Sequence, residues 1–297
     1  MHARSVNLGG PQKGLMRKSA LLISGVLVVA VLATSLTAQQ AKPVATTQKP
    51  TDVPTLLFEM ANTMGMLRAI QQEDSIITLE HWAKGTVTVG TQKYDVPEYR
   101  MSVNYAVPGV RVDYQRQMGT GKPQRTIEVV AGGAAWNETD RGMGATAARD
   151  QAKQRAVLLW TTPMGVVKAA KMAGNRATMK AAGANAWTLT FPLPAPAEDV
   201  TAVATVRQDA SLLGRANPAA LKILTGTYVA QVETTGAVVS QSTYSEYGDW
   251  NYEDYLADIF QPRRITRRVG DTTFDLTTVN TNTYNPYVIM PVPANVK

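Results

Sequence analysis

From Tyr99 to Val107 the chain alternates: Tyr99, Met101, Val103, Tyr105 and Val107 occupy every second position, with Arg100, Ser102, Asn104 and Ala106 between them. A period of two puts successive side chains on opposite faces of a strand, so one face is apolar and buried while the other is wet. Pro108-Gly109 is a turn dipeptide, and Val110, Val112 and Tyr114 resume the alternation, which predicts a hairpin with apolar residues facing one way. Further turns are predicted at Gly119-Thr120-Gly121-Lys122-Pro123 and at Gly132-Gly133, flanking a strand around Ile127 and Val129. The first half, from about Ile76, therefore reads as an antiparallel meander.

Helical spacing appears in two places. Asp52 can cap a helix whose first turn holds Pro54, and Leu56, Met60, Met64 and Leu67 then recur at intervals of four, four and three. The second place interrupts the meander, where Ala148, Ala152, Ala156 and Leu159 share a stripe. Thr162-Pro163 then caps a further helix ending at Gly174-Asn175, with Trp160 at the corner. Strands resume at Trp187 to Phe191, near Val203, at Thr227 to Glu233, at Val238 to Tyr247 and at Arg263 to Val279 around a turn at Gly270-Asp271. The segment Asn285 to Val296, with three prolines, is expected as an extended tail.

Ahead of all this stands an export segment. Arg17 and Lys18 precede mostly apolar residues from Ala20 to Leu36, followed by Thr37 and Ala38 and then the polar Gln39-Gln40. Residues 1–38 are expected to act as a signal peptide or, uncleaved, as an inner-membrane anchor through residues 20–36 facing the periplasm. Residues 39–51, rich in Thr, Gln, Lys and Pro, are expected as a flexible spacer. The remaining chain is long enough for one large β-rich domain, and residues 52–284 are taken as that domain, with 285–297 as the tail. Localisation is accordingly periplasmic or secreted.

Composition removes several classes of function. The chain has no cysteine, so disulfides, thiol catalysis, thiolate metal sites and lipidation through a cysteine are all excluded. Four of the seven net positive charges, Arg4, Lys13, Arg17 and Lys18, lie in the export segment. The rest are spread along the chain, and Arg263, Arg264, Arg267 and Arg268 at strand spacing point to both faces, so they read as a solvated strand end and no nucleic-acid partner is expected. Beyond the export segment His81 is the only histidine, which rules out a multi-histidine metal site; beside Trp82 it reads as a surface or packing residue. No serine sits in a Gly-x-Ser-x-Gly turn.

One acidic constellation remains. Asp249-x-Asn251-x-Glu253 imitates the opening of a calcium loop, yet Asp254 stands at the glycine position and Phe260 at the bidentate glutamate position, so Asp249, Asn251 and Glu253 form only a weak Ca²⁺ candidate. With Asp258 these carboxylates are expected on an exposed loop near Arg263 and Arg264; a carboxylate-dependent hydrolase drawn from them is the least favoured reading.

The order of parts resembles the LolA-like periplasmic carriers of lipids and lipoproteins: export segment, leading helix, antiparallel meander, helical insert and closing hairpin. The run Tyr244-Ser245-Glu246-Tyr247-Gly248-Asp249-Trp250, then Phe260-Gln261-Pro262-Arg263-Arg264-Ile265, then Asp275-Leu276-Thr277, is similar to that of a broader group of exported bacterial proteins of this type. The resemblance implies an α+β fold, a strongly curved antiparallel sheet or half-barrel with helices covering its concave face. It also implies a cavity that shields an acyl chain or similar apolar group.

Independent physical support comes from methionine. Twelve occur in the chain, two of them ahead of the domain, and their unbranched, polarizable side chains repack readily around varied apolar shapes. The expected function is a non-catalytic binder or carrier of an apolar or acylated ligand, with no cofactor and with envelope membrane proteins as further partners. Periodicity assigns Leu57, Met60, Met64, Met101, Val103, Val112 and Leu159 to the pocket. The alternative is an envelope structural or protein-interaction module whose core is filled.

Overall fold

Asp52 accepts a hydrogen bond from the Thr55 amide at 2.8 Å and starts helix α1, Val53–Thr63, with Pro54 in the first turn, where its missing N–H costs nothing. Leu56, Met60 and Ala61 bury one stripe of α1. The structure, a computed structural model, describes residues 49–68, 73–215, 224–250, 259–283 and 285–297. The export segment, residues 39–48 of the spacer, and Asn251, Glu253, Asp254 and Asp258 lie outside the described residues. Among those described, no helix is long and apolar enough to cross a membrane.

A two-stranded ribbon of β1, Leu67–Arg68, and β2, Glu73–Asp74, precedes the main sheet. The meander follows as β3 (Thr78–Val89), β4 (Gln92–Asn104), β5 (Gly109–Gln117), β6 (Gln124–Ala131), β7 (Ala134–Glu138) and β8 (Thr146–Ala147). Helices α2 (Ala152–Thr161) and α3 (Pro163–Ala173) come next. A second meander completes the sheet: β9 (Thr178–Gly183), β10 (Ala186–Pro192), β11 (Val200–Arg215), β12 (Leu224–Gly236), β13 (Ser240–Asp249), β14 (Phe260–Val269) and β15 (Thr272–Asn282).

The two meanders join at the centre. β15 pairs antiparallel with β3, giving one 13-stranded sheet in the order β8-β7-β6-β5-β4-β3-β15-β14-β13-β12-β11-β10-β9. The outermost strands β8 and β9 are consecutive in sequence apart from α2 and α3. Laid flat, twelve strand spacings would separate them by about 58 Å, while helices of 10 and 11 residues are about 15 and 17 Å long. The two helices also pack on each other, α2 against β5, β6 and β7, and α3 against β10 and β12. Both can hold only if the sheet curls strongly around them, so the fold is α+β with a curved, open antiparallel sheet and helices on its concave face.

That face and the helices over it enclose the main core, including Met101, Val103, Val112, Trp187, Phe191 and Tyr228 from the sheet and Trp160 from α2. α1 joins it by packing on α3 and β12, where the Thr63 hydroxyl accepts from the Thr227 amide at 2.9 Å. The convex side is not uniformly wet. Glu80, pointing outward from β3, accepts a fork of hydrogen bonds from Arg100 at 2.8 and 2.9 Å, and outward-facing Arg111 pairs with Glu138 at 3.0 Å.

Three expectations are corrected. Val107 does not continue the buried face; β4 ends at Asn104 and Val107 is exposed in the turn. Ala148 lies outside the helical stripe, because a 3-10 turn at Arg149–Gln151 separates it from α2. The segment from Asn285 is extended but packed: Val288, Met290 and Val296 close a small second core over Ile127, Val129, Ala131 and Trp136 on the convex face of β6 and β7.

Candidate functional site

The α2–α3 corner is built by Thr162, the N-cap of α3. Its hydroxyl donates to the Leu159 carbonyl at 2.8 Å, which leaves its lone pairs to accept from the Gly165 amide at 3.1 Å and the Tyr105 hydroxyl at 2.9 Å. From the other side of the curl, Tyr244 on β13 donates its hydroxyl to the Thr161 carbonyl at 2.7 Å. Two tyrosines from opposite limbs of the sheet therefore pin the helical corner over the concave face.

Beneath this corner lies a hollow. Leu79, Met101, Ile265, Leu276, Tyr99 and Phe274 form its floor, and Leu158, Pro163 and Met164 its roof. Its free space is about 40 Å³, room for about three waters at the 10–15 Å³ that one needs. Burial raises the phenols around it, Tyr244 to about 12, so they stay protonated donors.

Polar atoms interrupt the apolar wall. His81 Nε2, Thr281 Oγ1 and Arg267 Nε are buried and have no hydrogen-bond partner among the described residues. His81 and Thr281 are cross-strand neighbours on β3 and β15. The imidazole lies against Tyr99, ring centroids 5.5 Å apart, and burial lowers its pKa to about 4, so it is neutral at pH 7. Half-buried Arg267 places its guanidinium carbon 5.4 Å from the Phe274 ring centroid, a cation–π contact, and no carboxylate pairs with it among the described residues.

A second hollow of about 40 Å³ opens between α2 and the limb of β5 and β6. Val110, Val112 and Val157 give it an apolar side, Glu128, Gln151, Gln154 and Arg155 a polar one, and Ser240 and Val269 reach it from β13 and β14 across the curl. Leu158 from the helix and Arg267 from the sheet line both hollows and thus form the partition between them.

Of the residues assigned by periodicity, Met101 lines the first hollow and Val112 the second. Met60, Met64, Val103 and Leu159 are buried in the main core, with Leu57 half-buried against it, and none of the five lines either hollow. Asp249 is buried at the end of β13, while Asn251 and Glu253 lie outside the described residues. Among the described residues, no group of three or more acidic or histidine side chains could hold a metal ion. Periodicity missed Arg267, although its signal was present: Ile265 and Val269 point inward from β14, so the residue between them must as well.

No protein-family model matches the sequence, and no curated protein does. Among the solved structures that do match, one described as the crystal structure of LprF from Mycobacterium bovis aligns over 84% of this chain and 100% of its own at 11% identity and a TM-score of 0.31. At that level of likeness no property passes from one protein to the other.

Proposed function

We propose that the protein is a non-catalytic binder or carrier of an apolar or acylated ligand, exported to the cell envelope, with its site in the concave hollow under the α2–α3 corner. One observation carries this reading: buried polar atoms of His81, Thr281 and Arg267 converge on an apolar hollow without protein partners. Buried polar groups in a packed core are ordinarily satisfied, because each unpaired one costs about 1–3 kcal/mol.

The free space is too small for a long chain as it stands. Seating one requires Met101, Met164 and Leu158 to swing aside, and the two methionines, unbranched and rotatable about three bonds, suit that role. Envelope membrane proteins would deliver or receive such cargo. The same small volume supports the second reading, a filled protein-interaction module. Native mass spectrometry of protein purified from membranes, followed by titration with a fluorescent fatty acid, separates the two. Copurified lipid or saturable uptake is expected for the carrier. A lipid-free protein that ignores the probe would establish the module instead.

A further inference from the structure

We infer that Arg267 anchors the anionic head group of a single-chain amphiphile, with the chain in the apolar hollow and the head at the partition between the two hollows. This rests on the carrier reading above and specifies the chemical class of its ligand as a chain ending in a carboxylate or a phosphate monoester.

Three observations converge on it. Arg267 points inward from a strand whose inward neighbours, Ile265 and Val269, are apolar, yet no carboxylate pairs with its guanidinium among the described residues. Withdrawing a guanidinium partly from water without a counter-charge is unfavourable, and one cation–π contact with Phe274 offsets only part of the cost. The second observation is position, since Arg267 borders both hollows and only one of them is predominantly apolar. A chain lying there would bring its terminal group to the guanidinium and to the polar side of the second hollow, where Gln151, Gln154 and Ser240 offer hydrogen bonds.

The third is the contrast with Arg155, the other arginine lining the second hollow. Arg155 donates to the carbonyls of Val129 at 3.1 Å and Trp136 at 2.6 Å and to Asn137 at 2.6 Å, and it lies 3.5 Å from Glu128. It is consumed by the fold, whereas Arg267 is not. Glu128, the one carboxylate in either lining, faces Arg155. A carboxylate or phosphate accepts two parallel N–H bonds from a guanidinium, a geometry that an ester or alcohol cannot match.

The test compares three probes sharing a twelve-carbon chain, dodecanoate, dodecyl phosphate and dodecanol, titrated calorimetrically into full-length protein and into Arg267→Gln and Arg267→Lys. The wild type is expected to bind at least one of the two anions about tenfold or more tighter than the alcohol. The tighter anion identifies the head group. Arg267→Gln should abolish that preference, with its far-UV circular dichroism and Tm showing the variant to be folded, and Arg267→Lys should retain part of it. Equal binding of anions and alcohol by the wild type, or a preference that survives in Arg267→Gln, overturns the inference and leaves the carrier reading standing. Binding of none of the three probes removes both.

Discussion

The Tyr244 hydroxyl donates to the carbonyl of Thr161 at 2.7 Å, and Thr161 is the last residue of α2. The amide four residues on, that of Gly165, is taken by the Thr162 hydroxyl at 3.1 Å, so the Thr161 carbonyl is one of the orphan groups that end every helix. The tyrosine satisfies it from the opposite limb of the sheet and ties the corner down at the same point. Tyr244→Phe should therefore cost about 1–3 kcal/mol, a drop of several degrees in Tm for a chain of this size, measured by thermal denaturation. An unchanged Tm would mean that the corner is held elsewhere, with the bond from Tyr105 to Thr162 the first place to look.

His81 gives the protein a defined acid response. Its pKa is about 4 in the fold and 6.5 when exposed in the unfolded chain, so between those values the unfolded state holds a proton that the native state refuses. Stability from this group is complete above about pH 6.5, declines as the pH falls towards 4, and declines no further below that. Carboxylates titrate over part of the same range, so the informative quantity is the difference between the wild type and His81→Leu. Urea unfolding at pH 7, 5.5 and 4.5 should show the wild type losing stability more steeply than the variant, by up to about 1.4 kcal/mol per pH unit. Parallel pH profiles for the two proteins would show that the imidazole is not held neutral by burial.

How much of this could be read in the sequence depends on whether the determinants are local. The Asp52 cap, the Thr162-Pro163 corner, the Gly132-Gly133 turn and the Gly270-Asp271 hairpin are encoded within a few residues, and the structure places each where the sequence does. The pairing of β15 with β3 joins residues almost two hundred positions apart, and no local pattern states it. The same limit applies to the site. Met60 and Met64 satisfy helical spacing, but spacing says only that a residue faces inward, not whether it meets another side chain or a hollow. Arg267 and His81 came to the hollow through the curl of the sheet. β6, like the inward-facing Arg267, is legible locally: it runs Ile127, Val129, Val130, Ala131, apolar on both faces, which marks a strand covered on both sides.

Gly165 tests the tightness of the corner. A Cβ there would lie 2.2 Å from the Leu159 carbonyl oxygen and 2.6 Å from Thr162 Oγ1, the atom that caps α3. Elsewhere in a helix Gly→Ala stabilises by removing backbone freedom from the unfolded chain. Here the sign should reverse, because the methyl group must displace backbone or break the cap, and a loss of about 2 kcal/mol is expected. Chemical denaturation of Gly165→Ala measures it, and a stabilised variant would show that the corner has slack.

The C-terminal strap depends on Asn285. Its Oδ1 accepts from the amides of Ile77 at 2.7 Å and Thr78 at 3.1 Å, and its Nδ2 donates to the Ser75 carbonyl at 2.8 Å, which satisfies the backbone entering β3. Asn285 itself has φ of 51°, a left-handed conformation that asparagine tolerates better than most residues. From this pivot the chain runs along the convex face, where Asn104 holds the Val288 carbonyl at 2.9 Å and Asn295 holds that of Ala145 at 2.8 Å. Asn285→Ala removes three hydrogen bonds and keeps a Cβ in strained backbone, so a loss of about 2–3 kcal/mol is expected. Asn285→Gly relieves the strain but not the lost bonds, and should fall between the variant and the wild type. Because the strap covers Ile127, Val129 and Trp136, hydrogen exchange should speed up in β6 and β7 of Asn285→Ala while the β9–β10 edge is unaffected. Uniform acceleration across both limbs would instead show that the strap is part of one cooperative unit with the whole sheet.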